Sequence, residues 1–496
     1  MTDSLSTELS LPEILEKLCT PEFLPGARMV QRSFADLTTL RIGGTPAAVV
    51  ACSRPSALAG VVSLLDANSV PLLVVGGGSN LIIGEGDDVR KTVVVWATTE
   101  QVAVDAGAEE SAAGLDSSGL DASGEAELFA ADGDARGGIT IDAESGLVRA
   151  FAGVNFDSLV QRTVEAGLSG LECLSGIPGS VGATPVQNVG AYGAEVSQVL
   201  SRVQLFDRGA EDLAAGADGA ELASEKENDL YWVGPEDLDL SYRYSNLKFT
   251  NCAVVTAVEF QLGTDGLSQP LRFGELARKL DVQEADAKAG AESARRPVAD
   301  VRATVLELRA GKGMVLNQAD HDTWSAGSFF TNPVVEGAAA RDAVIAAVRE
   351  KCGEEKASSM PVYSAGRGGA AEDGAVKPGA GAAGADAGGD AAGDGAVGAA
   401  TGDGAVGAAT GDASDTERFK FSAAWLIDHA GFGKGFSVEG HEAASLSTKH
   451  TLALTNRGSA TSADIIALAS AVRAGVHEAF GVTLEPEPVW VGAQLD

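Results

Sequence analysis

Two glycine-rich segments carry the residues best suited to holding an anionic ligand. Val74-Val75-Gly76-Gly77-Gly78-Ser79-Asn80-Leu81 follows an apolar run that predicts a buried strand. Three glycines let backbone N–H groups close around a phosphate without Cβ clash, and Ser79 and Asn80 add side-chain donors. A plain tight turn would account for one or two glycines, but not for three plus two donors after a buried strand. The second segment runs Gly170-Leu171-Glu172-Cys173-Leu174-Ser175-Gly176-Ile177-Pro178-Gly179-Ser180-Val181-Gly182 and continues as Pro185-Val186-Gln187-Asn188-Val189-Gly190-Ala191-Tyr192-Gly193. Close-set glycines, a stiffening proline and several amide or hydroxyl donors suit main-chain wrapping of a diphosphate and an isoalloxazine edge.

These loops need elements to hold them. Ala47–Cys52 and Pro71–Val75 read as strands flanking a helix over Ser56–Ala67, whose apolar Leu58, Val61, Val62 and Leu65 share one face. Ile139–Ala143 and Val148–Ala152 predict a hairpin, Phe156–Ala166 a helix, and Ala253–Leu262 a strand. Helical spacing marks Leu271–Leu280, Val298–Ala310, Ala340–Glu350 and Asp464–Phe480. The last has capping candidates in Thr461 and Ser462 and a stop at Gly481. The pattern is that of an α+β protein.

Composition narrows the function classes. The 496 residues exceed one compact domain, so two or three are expected. Thirty-six basic against seventy acidic residues give a net charge of −34, and no basic patch offsets it, which argues against nucleic-acid and membrane-surface partners. Of that charge, −22 falls in 100–137, 209–229 and 364–417, segments rich in Ala, Gly, Asp, Glu and Ser that read as flexible insertions. An acidic protein that holds an anion has more use for oriented amides than for lysines. The third insertion repeats Gly-Asp-Gly-Ala-Val-Gly-Ala-Ala-Thr at 393–401 and 402–410, too short an array for a β-roll. It also spells G-x-G-x-x-G at Gly379, Gly381 and Gly384, without the preceding strand and following helix that a dinucleotide fold requires. Five cysteines without a C-x-x-C pair support neither a disulfide scaffold nor a zinc site. No metal is expected. A mixed polar start over Met1–Leu18 does not read as a signal peptide, and no run approaches the roughly 20 apolar residues that span a bilayer. A cytoplasmic protein is expected.

In order and character, Leu40-Arg41-Ile42-Gly43-Gly44, the Gly76–Asn80 loop and the 170–193 segment resemble the UDP-N-acetylenolpyruvoylglucosamine reductase family. Tyr242-Arg243-Tyr244-Ser245, Ala326-Gly327-Ser328-Phe329-Phe330-Thr331-Asn332-Pro333, Ser422-Ala423-Ala424-Trp425-Leu426-Ile427-Asp428 and Leu484-Glu485-Pro486-Glu487 agree, so the resemblance spans about Arg28 to Gly492. It implies a two-subdomain FAD-binding fold of the vanillyl-alcohol-oxidase type followed by an α+β substrate domain. It also implies NADPH-dependent reduction of an enolpyruvyl ether to a lactyl ether, giving UDP-N-acetylmuramate for peptidoglycan. The implied boundaries are an extension 1–27, FAD-binding subdomains 28–98 and 138–262 around an insertion 99–137, with 209–229 inserted in the second, and substrate-domain parts 263–363 and 418–496 around 364–417. A second oxidoreductase of this flavin fold, or a noncatalytic flavin or nucleotide binder, is the alternative.

Site residues follow from the resemblance position by position. Ser328 matches the proton donor, although without the resemblance a serine here reads as a helix cap. Arg243 matches the arginine that holds the substrate carboxylate as its charge grows, against the alternative of a surface ion pair. Glu487 matches the acidic partner, and Glu485 reads as solvated. FAD contacts are implied for Arg41, Gly43, Gly76, Gly77, Gly78, Ser79, Asn80, Gly176, Ile177, Gly179, Ser180, Gly182, Gln187, Asn188, Gly190, Ala191 and Tyr192. Substrate contacts are implied for Tyr242, Phe273, Lys312 and Asn332. For Lys312 the alternative is a helix-terminal lysine, and for Asn332 a turn residue before Pro333.

Phe273 stands where the family's longer, type I members carry a tyrosine over the nucleotide sugar. Phe273→Tyr is therefore expected to tighten substrate binding by about 0.5–1.5 kcal/mol, and an unchanged dissociation constant would contradict that. All five histidines follow the FAD region and Cys173 fits a small buried residue, so noncovalent FAD is expected, in a monomer acting on a small molecule.

Overall fold

The computed structural model describes residues 11, 15, 24–99, 138–208, 230–367 and 417–495. The insertions expected at 100–137 and 209–229, the tandem repeat, the G-x-G-x-x-G match and nearly all of the N-terminal extension lie outside the described residues. The third insertion begins later and ends earlier than its composition suggests. Val362–Arg367 and Glu417–Phe421 pair antiparallel, so 364–367 and 417 are strand. Ladder hydrogen bonds override the poor strand propensity of a Ser-Ala-Gly-Arg run.

The N-terminal lobe is built on two sheets. The first contains β1 (Ala27–Val30), β2 (Ala48–Cys52), β3 (Leu72–Val75) and, beyond a short β4 (Leu81–Ile83) outside that sheet, β5 (Val93–Ala97), in the order β1-β2-β5-β3. β2 and β3 both run parallel to β5. Every residue of β2 and β5 is buried, as expected for parallel strands covered on both faces. Their alternating side chains feed two cores. Val50, Cys52, Val93 and Val95 pack with helix α1 (Pro55–Ala67) through Leu58, Val61, Val62 and Leu65, whereas Val49, Ala51, Val94 and Trp96 pack with Phe34, Leu37 and Ile83.

The second sheet is antiparallel, comprising β6 (Ile139–Asp142), β7 (Leu147–Phe151), β8 (Leu200–Asp207), β9 (Leu230–Val233) and β10 (Ala253–Gln261) in the order β9-β8-β10-β7-β6. Helix α2 (Phe156–Glu165) shares its core, which is continuous with that under α1. The expected hairpin, helices and strand all fall within three residues of their predicted ends. Leu271–Phe273 are extended and only Gly274–Lys279 (α3) is helical, because the Leu271 amide donates to Ala294 O instead of entering a helix.

After α4 (Val298–Gly311), the chain forms a C-terminal lobe in which β11 (Val334–Glu336), β12 (Val362–Arg367) and β13 (Glu417–Phe421) pack with α5 (Gly337–Cys352), α6 (Ala423–Ala430) and α7 (Ser462–Phe480). Thr461 caps α7 in a capping box with Asp464, and Gly481 ends it at φ +69°. The last strand, β14 (Val489–Val491), returns to the N-terminal lobe and pairs parallel with β4. That return determines where the end of the chain meets the glycine loops.

Candidate active site

The two glycine segments face each other across a seam with no room for a side chain. A Cβ on Gly77 would lie 2.5 Å from Gly179 Cα, and one on Gly76 only 1.9 Å from Ser180 Oγ. Gly78 adopts φ +57°, with the Leu37 carbonyl 1.9 Å from where its Cβ would be. Ser79 Oγ donates to Pro178 O (3.0 Å) and Asn80 Nδ2 to Gln187 Oε1 (2.6 Å), which tie the loops side by side. The second loop is anchored from behind by Asp157, whose carboxylate accepts the Gly176 amide (2.6 Å) and both Nη groups of Arg302 (2.6 and 3.0 Å).

Burial works to raise the Asp157 pKa. The Arg302 hydrogen bonds, the Gly176 amide and the charges of Arg302 and Arg309 outweigh it and hold the carboxyl below its ordinary value. A carboxylate depressed on folding contributes stability that is present above its unfolded pKa and lost as pH falls through the folded one. Asp157→Asn should therefore cost about 1–3 kcal/mol in denaturant unfolding at neutral pH, with the difference from wild type shrinking in acid below the usual carboxylate range. A difference unchanged by acid would contradict the assignment.

A cavity of about 400 Å³ opens along the seam. Gly76, Gly77, Gly78, Ser79, Asn80, Ile177, Gly179, Ser180, Gly182, Gln187 and Gly190 line it, as do Arg243, Ser328 and Glu487. The three reach it from distant parts of the chain through backbone pairing. The Glu487 amide donates to Phe329 O (2.9 Å), the Thr331 amide to Glu485 O (3.0 Å) and the Val489 amide to Asn80 O (2.9 Å). The terminal segment is thus zipped between the Ser328 loop and the Asn80 loop. Ser328 sits in a bend and starts no helix, which removes the capping alternative. Arg243 occupies the tight turn Ser241–Tyr244, closed by two backbone hydrogen bonds, at φ +58°. Its Nε pairs with Glu487 Oε1 (3.1 Å) and its Nη2 donates to Gly190 O (2.8 Å). Burial disfavours its charge, but Glu487, with Tyr242 and Glu195, raises its pKa, so the guanidinium is a fixed cation in the cavity wall. Glu485, in contrast, is exposed and only loosely opposite Arg473 at 3.8 Å.

The UDP-N-acetylenolpyruvoylglucosamine reductase of Corynebacterium jeikeium is 59% identical over 473 residues, covering 95% of this chain and 93% of that protein. The chain belongs to the UDP-N-acetylenolpyruvoylglucosamine reductase family. A second relative, reductase 2 of Corynebacterium glutamicum, is 46% identical across 94% of both chains. The family model for the C-terminal domain of UDP-N-acetylenolpyruvoylglucosamine reductase matches 318–491, and that for an FAD binding domain matches 99–211. A solved UDP-N-acetylenolpyruvylglucosamine reductase from Thermus caldophilus is 20% identical, with a TM-score of 0.46, over 94% of this chain and 99% of that one.

FAD is the cofactor of this reductase family, and the seam fits it. The glycines bring the two loops into backbone contact, and both loops line a cavity whose charged wall is mostly cationic, so their amides would hold a diphosphate there. Cys173 lies outside that cavity, packed with Leu271 and Leu276, and burial pushes its thiol well up, which leaves it unreactive.

Ten expected positions do not line the cavity. Arg41 stacks its guanidinium 4.2 Å over Trp324, at φ +56°, and Gly43 fits against Ile83 and Phe34. Gly176 serves the Asp157 anchor, and Asn188 is buried, donating to Glu195 and Ser241 O. Ala191 and Tyr192 flank the cavity, where Tyr192 meets Phe273 edge-on at 5.1 Å. Tyr242 lies under Arg243 (5.2 Å) and Lys420 (5.4 Å). Lys312 ends α4 as its C-cap and pairs with Glu275 (2.9 Å), close to the bland alternative. Asn332 Oδ1 accepts the Ala423 amide at the start of α6, a structural duty that a turn before Pro333 only partly anticipates.

Three cavity cations went unanticipated. Arg309, one helical turn before Lys312, lines the cavity. Its Nη2 donates to Met314 O (2.9 Å), while its buried Nε has no hydrogen-bond partner among the described residues. Lys248 also lines the cavity and is 7% exposed, and Arg208 joins it while bound bidentately to Asp66. Their only sequence signal is closeness to motifs, with Arg309 in Arg-Ala-Gly-Lys and Lys248 five residues after Arg243. Among the described residues no cluster of His, Cys, Asp and Glu is arranged to hold a metal, and no helix is long and apolar enough to cross a membrane.

Proposed function

We propose that this protein reduces the enolpyruvyl ether of UDP-N-acetylglucosamine to the lactyl ether, giving UDP-N-acetylmuramate, with NADPH as reductant. The observation that carries the reading is the convergence of Ser328, Arg243 and Glu487 on the cavity walled by the glycine loops. When bound, FAD supplies the hydride, which it receives from NADPH.

The chain's own residues supply the rest. Arg243 is a permanent, mostly buried cation, so it binds the substrate carboxylate more tightly as negative charge builds there. Glu487 pairs electrostatically with the guanidinium, 3.1 Å from Nε but without a hydrogen bond to it, and so keeps the buried cation charged in the cavity wall. Ser328 faces the same cavity and delivers the proton to the carbon that receives no hydride; a serine is a weak acid, so it acts only where the developing charge is stabilised beside it. Arg309, Arg243 and Lys248 against Glu487 leave the wall net positive, which suits an anionic cofactor and an anionic substrate in one cavity.

The proposed enzyme is a cytoplasmic monomer whose product feeds peptidoglycan precursor synthesis. Steady-state assay tests the reading: consumption of NADPH must depend on the enolpyruvyl substrate, and mass spectrometry must find a product two hydrogens heavier. NADPH consumption unaffected by that substrate would reject it.

A further inference from the structure

A lysine buried in a cavity wall is costly to keep, since an ammonium loses hydration that one hydrogen bond does not restore. Lys248 is such a residue. Its Nζ donates to the backbone carbonyl of Arg243 at 3.1 Å, and it sits 5.0 Å from the Phe249 ring. Burial and the charge of Arg243 pull its pKa down, while Glu487 opposes them. The carbonyl it grips belongs to a strained residue. Arg243 has φ +58°, a region that favours glycine, in the turn Ser241–Tyr244. Ser245 Oγ fixes the next residue to Val186 O (2.6 Å), and the Lys248 amide returns to Ser245 O (3.0 Å), so residues 245–248 fold the lysine back under the turn.

We propose that Lys248 is a positioning residue for the reduction: it holds Arg243 in the left-handed turn that presents the guanidinium to the substrate carboxylate. This rests on the functional reading above. Two hydrogen bonds then fix the residue, Nη2 to Gly190 O at its tip and Lys248 Nζ to its backbone carbonyl, while Glu487 attracts the guanidinium as an ion-pair partner 3.1 Å from Nε.

The test uses flavin-loaded enzyme and separates the two half reactions by stopped flow, with UDP-N-acetylglucosamine enolpyruvate as oxidant. With FAD kept saturating, Lys248→Met should slow flavin reoxidation about 30-fold, as misplacement of a catalytic group does, and by at least about tenfold more than it slows reduction by NADPH. Arg243→Gln should slow reoxidation about 10³-fold, and the double variant should be no slower than Arg243→Gln, because one residue acts through the other. Lys248→Arg, which keeps a charged donor, should keep more than about a tenth of the reoxidation rate. Losses that multiply in the double variant, equal losses in both half reactions, or a Lys248→Met enzyme as fast as wild type would each overturn the proposal. If the Met variant fails to fold, the Arg variant decides alone: more than a tenth of the rate supports the proposal, and a 30-fold loss (about that of Met) overturns it. A wild-type enzyme that is not reoxidised at all rejects the functional reading and this proposal with it.

Discussion

Ser328→Ala will leave NADPH able to bleach the flavin at the wild-type rate, while reoxidation by the enolpyruvyl substrate slows by about 10²–10⁴-fold, the usual contribution of a positioned proton donor. The asymmetry follows from what the hydroxyl is for. Taking hydride from NADPH requires no proton from the protein at that position, whereas completing the lactyl group does. The substitution should not disturb the fold, because Ser328 begins no helix and its loop is held by backbone bonds from Phe329 to Leu452 and Glu487. Stopped-flow absorbance of the two half reactions reads the split. Equal loss in both would mean that Ser328 shapes the cavity instead of supplying a proton.

Gly77→Ala should abolish flavin retention. The new methyl group would lie 2.5 Å from Gly179 Cα and 2.7 Å from Gly179 C, so backbone, not a flexible side chain, must move. Separating the loops breaks the Ser79–Pro178 and Asn80–Gln187 hydrogen bonds and spreads the cradle. Flavin affinity should fall at least about 10²-fold, the scale of losing two or more well-made polar contacts. Gly311→Ala is the matched control. Nothing lies within 4 Å of its added Cβ and its backbone is not left-handed, so flavin binding should be unchanged and stability should rise by about 0.4–1 kcal/mol. Titration of apoprotein with FAD, followed by fluorescence quenching, reads both. A Gly77→Ala protein that retains flavin would show the seam to be irrelevant to cofactor binding.

Local patterns were the most readable in the sequence. The glycine loops follow strands and hold their function in the backbone, so Gly76–Asn80 and most of 177–190 line the cavity as their spacing implies. The first β-α-β unit and α7 with its caps were equally plain, because periodicity and capping are near-neighbour effects. Pairings between distant segments were not. Arg309 lies in the last turn of α4 and lines the cavity, whereas Lys312 is the C-cap, where the chain leaves helical geometry and the side chain pairs with Glu275. Asn332 caps α6, whose start lies beyond the third insertion, so no local feature announces its partner. Lys248 carries no local sequence signal beyond its closeness to Arg243, and only the 245–248 turn brings it under that residue. The strands at 362–367 and 417–421 escaped notice because each is held by the other across residues that look like linker.

One anaerobic experiment tests the central claim most directly. Purified protein carrying FAD is reduced with a single equivalent of NADPH until its yellow absorbance is lost, and UDP-N-acetylglucosamine enolpyruvate is then added without oxygen. The arrangement of Ser328, Arg243 and Glu487 at the glycine-walled cavity predicts full return of the yellow colour, with one equivalent of UDP-N-acetylmuramate formed. Flavin that stays bleached while the substrate is recovered unchanged would contradict it.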